Sequence, residues 1–167
     1  APYSYSIGYR LPDKVRNIYI FSGIPALYHK EILSHWPYEV KQDASLAELE
    51  AVAHGLFFSK LSKKDLEKND IRDSMRNHCF GIAQDFRLRC RDWGFRLQDI
   101  SGNVYMQHSQ EDESIPVMTA LLTSKLLPNC RLDIQEHGPH FSPQALDEFI
   151  RTVIAPNFEN NKREIVT

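Results

Sequence analysis

The sequence has little of what most readily marks a specialised protein. It has only three cysteines, Cys79, Cys90 and Cys130, which cannot all pair within one chain, and it has no CxxC or Cys/His zinc spacing. Free thiols in a reducing compartment are the expectation. No stretch approaches the roughly 18 consecutive apolar residues of a membrane span, and the first ten residues lack both the basic and the long apolar parts of a secretory signal. There is no excess of one charge: 20 Lys+Arg face 22 Asp+Glu, a formal net charge of -2, so no field steers the chain toward nucleic acid or anionic lipid. Repeats and low-complexity tracts are also missing. These absences predict a soluble, cytoplasmic protein with no nucleic-acid or membrane partner.

What is present is enough for a core. The chain has 167 residues, 42% of them hydrophobic. That length predicts one domain, burying roughly 70% of its unfolded surface without a disulfide or a metal. The pattern changes character three times. In residues 1–28, Tyr3, Ile7 and Leu11 recur at helical spacing, and Asn17 to Phe21 is an unalternating apolar run of strand length ended by Ser22-Gly23. Such a run suggests a strand covered on both faces, as in a parallel sheet.

Residues 29–99 read as helical. Ser45 with Glu48 makes a capping box ahead of Leu46, Leu49, Val52 and Leu56. Ser62 and Asp65 start a second helix, and Ile71, Met75, Cys79, Ile82 and Phe86 mark a third, longer face. Arg72, Arg76, Arg87, Arg89, Arg91 and Arg96 are interspersed with acids and read as a solvated face rather than a basic patch.

Residues 100–156 return to strand and helix in alternation. Asn103 to His108 is a strand, Pro116 opens a helix with Val117, Ala120, Leu121 and Ser124 inward, and Arg131 to Gln135 is a strand with Leu132 and Ile134 on one side. Ser142-Pro143 caps a last helix carrying Leu146, Phe149, Ile150 and Val153, and residues 157–167 form a polar, frayed tail. Short-looped alternation of this kind predicts an α/β fold with a parallel sheet.

Open α/β sheets place their sites at the carboxyl ends of strands. Two loops there carry chemistry, His108 to Glu113 and Glu136 to Phe141. A carboxylate from the first and an imidazole from the second would make two thirds of a nucleophile-activating triad. Asp in a turn and His beside Gly-Pro are also ordinary loop residues, and the pattern alone leaves both readings open. His137 and His140 form an HxxH pair, but a turn containing Gly138-Pro139 lacks the helical geometry that makes such spacing ligate metal, so no metal and no cofactor are expected.

Several segments together resemble the α/β-hydrolase superfamily. They are Trp93 to Ile100, Val104 to Asp112, Ile115-Pro116-Val117, Leu126 to Cys130 and Gly138-Pro139-His140-Phe141. In that family the last strands read as an apolar run ending in H-G-x-x-D, a Pro that begins a helix, a Leu-Pro-Asn turn and a Gly-x-His-Phe loop. Ser109 stands where that motif has Gly. At the other end, Ala1-Pro2-Tyr3 and Tyr9 to Val15 resemble the helix and turn that come after the family's nucleophile elbow. The resemblance implies a partial α/β-hydrolase-like parallel sheet, its last three strands, interrupted by a helical cap insertion at residues 29–99.

The same resemblance implies roles. Asp112 is the orienting acid, ahead of its neighbours Glu111 and Glu113, and His140 is the general base; by their own setting, His137 beside Gly-Pro reads as a loop residue and His108 as a strand-end packing residue. Trp36, Phe57, Phe58, Phe80 and Phe86 of the insertion could line an apolar pocket for a small substrate with an ester-like bond, or serve simply as core. No G-x-S-x-G occurs in the sequence, and the family pattern puts that serine about three residues before Ala1. The 167 residues alone are therefore expected to be inactive. Half a sheet would also leave Asn17 to Phe21 with an open edge, suited to homodimerisation or to complementation by the other half.

Overall fold

The computed structural model describes residues 2–158. Most of the polar tail expected at 157–167 lies outside the described residues. Three strands form one parallel sheet in the order β1-β2-β3: β1 (Asn17–Phe21), β2 (Asn103–Ser109) and β3 (Cys130–Gln135). Asn17 pairs with Asn103 and Phe21 with Gln107, while Val104 pairs with Cys130 and Ser109 with Gln135. The unalternating apolar run read as β1 is covered on both faces: Ile18 and Ile20 are buried on one, and Tyr19 and Phe21 meet Phe149 on the other.

Helix α1 (Pro2–Arg10) precedes β1. Its inward residues are Tyr5 and Gly8, with Tyr5 stacked near Trp93 and its hydroxyl 3.9 Å from Met106 Sδ. Tyr3, Ile7 and Leu11, which share a face by spacing, are 61%, 52% and 45% exposed. The periodicity marks a real helical face, but the sheet takes the other side, where a tyrosine can fill the space over β2.

Between β1 and β2 run five helices, α2 (Lys30–Leu33), α3 (Leu46–Phe57), α4 (Lys63–Leu66), α5 (Asn69–Ser74) and α6 (Arg76–Cys90). Ser45 caps α3 with the full reciprocal box, and Ser62 caps α4. The single long face expected from Ile71 to Phe86 is broken. Asn77, His78 and Cys79 take left-handed backbone angles (φ 49°, 57° and 64°), and Cys79 is buried there at 1% exposure. Asn is among the side chains that tolerate that region, so the chain reverses its turn where a helical pattern alone reads straight through.

After β2, α7 (Val117–Leu126) leads to β3, and α8 (Pro143–Phe149) comes next, with Ser142 as its N-cap. The inward face of α7 is Thr119, Ala120 and Thr123 rather than Val117, Leu121 and Ser124. Both threonines are fully buried because their hydroxyls are satisfied: Thr119 donates to Pro116 O at 2.7 Å, and Thr123 accepts from Ala26 N–H at 3.4 Å. Ile150, expected inward, is 43% exposed, since α8 passes into a wider π turn over Ile150–Ile154 that changes the angular step.

Two apolar clusters result. One, including Ile18, Ile20, Leu97, Ile100, Val104 and Met106, lies against the sheet. The other, including Leu27, Trp36, Leu49, Ala53, Phe58 and Phe86, holds the helices between β1 and β2 together and reaches Ile115 beside the site. No helix among the described residues is long and apolar enough to cross a membrane.

Candidate active site

The carboxyl ends of β2 and β3 are neighbours, so the loops that leave them are neighbours too. Asp112 sits in the first loop with its side chain fully buried. Its Oδ1 accepts the N–H groups of Ser114 (2.9 Å) and Ile115 (2.8 Å), an arrangement that turns the chain into α7 and fixes the carboxylate plane. Its Oδ2 lies 2.8 Å from His140 Nδ1. Because that oxygen can only accept, Nδ1 carries the hydrogen and the neutral ring keeps its lone pair on Nε2. The His140 side chain is 39% exposed and borders an open cleft of about 960 Å³, shared with Phe141, Pro139 and Ser114. A buried carboxylate thus orients an accessible imidazole, which is the geometry of a general base.

His108, expected to be a packing residue at the end of β2, is 2% exposed and does more than pack. Its Nε2 donates to Ile115 O at 2.8 Å and lies 3.3 Å from Asp112 Oδ2. Two imidazoles therefore meet one carboxylate, one inside and one at the surface. His137 is an exposed loop residue paired through Nδ1 with Glu111 at 2.9 Å. The two histidines of the HxxH pair thus serve different carboxylates. Hydrogen bonds from His137, and then from Gly138 N–H, hold the Glu111 carboxyl below its ordinary range. Glu113 borders the cleft but is not joined to His140.

The aromatic residues of the helical segment lie elsewhere. Trp36, Phe58 and Phe86 are buried in the second cluster, and Phe57 (51% exposed) and Phe80 (43% exposed) are at the surface. Phe57 stacks on Phe86 with centroids 6.2 Å apart. None of the five borders the cleft beside His140. The aromatic that does is Phe141, edge-on to Phe21 at the end of β1.

No family model and no curated protein matches the sequence. Solved structures do. An esterase from Exiguobacterium antarcticum superposes with a TM-score of 0.55 at 18% identity, over 90% of this chain and 62% of its own. An α/β fold family hydrolase from Bacillus anthracis gives 0.56 at 11% identity, over 90% of this chain and 61% of its own. An α/β-hydrolase enzyme from a deep-sea metagenome of the Medee basin gives 0.51 at 13% identity, over 95% and 61%. The chain carries part of the α/β-hydrolase fold. It spans 61–62% of the length of these structures. Within this partial α/β-hydrolase fold, the structure brings Asp112 and His140, which the sequence pattern singles out, to 2.8 Å of each other, whereas the contacts of His108, Ser109 and Glu111 have no such pattern behind them. The one signal pointing to them was their crowding into the loop that carries Asp112.

Proposed function

We propose that this chain is the C-terminal portion of a serine α/β-hydrolase that cleaves an ester or related bond in a small substrate, with His140 as general base and Asp112 as the acid that orients it. The observation that carries this reading is the 2.8 Å bond from His140 Nδ1 to the fully buried Asp112 carboxylate, made between the ends of adjacent parallel strands. In the complete enzyme a serine Oγ attacks the carbonyl carbon while its proton passes to His140 Nε2. Asp112 stays ionised and stabilises the imidazolium, which then protonates the leaving alcohol, and a water activated by the same ring releases the acyl group.

None of the seven glycines begins a G-x-S-x-G, so the nucleophile and the oxyanion N–H groups would come from a segment outside these residues. The free edge of β1 is where such a segment would add. Asn103 N–H donates to Arg16 O and Ser22 N–H to Gln107 O. Even-numbered residues of β1 thus face β2, and Asn17, Tyr19 and Phe21 turn their backbone groups to the open side. The helices between β1 and β2 would form the cap.

A fluorophosphonate probe tests the reading. The 167-residue chain should not label, and a chain extended through an elbow should. In the extended chain, Asp112→Asn should slow labelling by roughly 10³–10⁴-fold, the scale of losing the orienting acid, and His140→Ala at least as much. Labelling of the 167-residue chain, or labelling indifferent to both substitutions, would refute it. A second reading, a noncatalytic module that dimerises through β1, is favoured by the open edge together with the exposed Tyr3, Ile7 and Leu11.

A further inference from the structure

We propose that Ser109, Glu111 and Gln135 form a clamp on the His137–Gly138 peptide unit and its flanking atoms, and that this clamp is what holds His140 on Asp112. The proposal rests on the reading of Asp112 and His140 as acid and base. The three are positioning residues, since they act through the backbone that carries the base.

The turn that bears His140 is gripped atom by atom. His137 O accepts from Gln135 Nε2 at 2.5 Å, Gly138 N–H donates to Glu111 Oε2 at 3.1 Å, and Gly138 O accepts from Ser109 Oγ at 2.5 Å. Three successive polar atoms of the backbone are thereby taken by side chains from β2, its loop and the end of β3. The other oxygen of Glu111 holds the His137 ring at 2.9 Å, and Gln135 is itself anchored by Gln107 Nε2 at 3.2 Å across the sheet. Gly138 has φ +134°, and a Cβ there would come within 2.8 Å of Gln135 Nε2. The clamp closes only on glycine.

Both ends of the His140–Asp112 bond depend on the same pieces. The Ser109 hydroxyl that grips Gly138 also accepts from Glu111 N–H at 3.2 Å, and so fixes the start of the turn that delivers Asp112. Gly138 lies two residues before His140. A base must be held to within roughly 0.5 Å of its partner to function, and loop residues reach that only when their backbone is fixed by others. Ser109 is 3% exposed and stands where the H-G-x-x-D pattern has a glycine. A glycine has no hydroxyl, so this grip belongs to this chain's sequence rather than to the pattern it resembles.

The clamp is tested in the full 167-residue chain by nuclear magnetic resonance, following the His140 Nδ1–H proton and its exchange with water. Ser109→Ala and, separately, Glu111→Ala each remove two hydrogen bonds of the turn and should each speed that exchange by roughly tenfold or more, while the amide signals of β2 and α7 stay in place. Glu111→Gln keeps an oxygen for Gly138 N–H and should recover most of the protection lost in Glu111→Ala. Glu111 is exposed, so its variants decide the matter even if Ser109→Ala does not fold. Unchanged exchange in a folded variant would overturn the clamp, as would exchange that rises equally at the β2 amides, the pattern of general loosening. No nucleophile or substrate enters this measurement, so the clamp and the hydrolase reading fail separately.

Discussion

At the scale of single residues, the dominant fact is how completely the charge of Asp112 is surrounded. Two backbone N–H groups and His140 Nδ1–H donate to its two oxygens, which offsets the desolvation of a carboxylate with no exposed surface, and the His108 ring packs 3.3 Å away. His108 belongs to that shell, and an apolar count along β2 reads it only as a strand-end residue. The cysteines show burial acting the other way. Desolvation pushes the Cys90 and Cys130 thiols up to about 11, and Cys79 is raised as well. At pH 8 the reactive thiolate of Cys90 and Cys130 is therefore scarce, and both should react with iodoacetamide roughly a hundredfold more slowly than free cysteine. Mass spectrometry of timed samples reads this, and rapid labelling of either would contradict it.

At the scale of elements, the strands were the most legible part, because β1 is an apolar run and all three are short segments between turn residues that need no partner to be recognised. The helix faces were less so. Apolar periodicity overlooks Thr119 and Thr123 on α7, since a threonine with a satisfied hydroxyl packs inward as readily as a valine. It also runs straight across the left-handed turn at Asn77–Cys79. Where β1 and β2 enter the sheet, Gly102 packs against the chain leading into β1. A Cβ there would lie 3.0 Å from Val15 O and 3.1 Å from Arg16 O, and the backbone cannot retreat because Asn103 N–H is bound to Arg16 O at 2.8 Å. Gly102→Ala should cost about 1–3 kcal/mol, the range of overpacking, read as a lowered urea midpoint. An unchanged midpoint would mean that the entry of the two strands is looser than this contact implies.

At the scale of the whole molecule, the two outer strands differ. β3 carries exposed Arg131 and Asp133, the charges that discourage edge pairing, whereas β1 turns the backbone groups of Asn17, Tyr19 and Phe21 toward its open side. Without its complement the chain should self-associate with rising concentration. Tyr19→Pro, which removes one outward N–H and spares the bonds to β2, should reduce that association in sedimentation velocity. A chain that stays monomeric throughout would argue against pairing through β1. The partial sheet was legible because its strand-end motifs are local. The closure of the site was not, because it rests on side chains from three segments meeting at one turn.

The pairing of β1 with β2 joins Asn17 to Asn103, 86 positions apart, with all the helices of the second cluster in the excursion. The entropy of closing such a loop grows only with the logarithm of its length, so doubling it would cost the sheet only about 0.6 kcal/mol. As far as chain closure goes, that excursion can be lengthened or trimmed at little cost to the sheet; what ties its helices to the loop of Asp112 is the packing of their cluster on Ile115. The length of the excursion is thus a loose variable of the fold, and the contact with Ile115 is where that looseness ends.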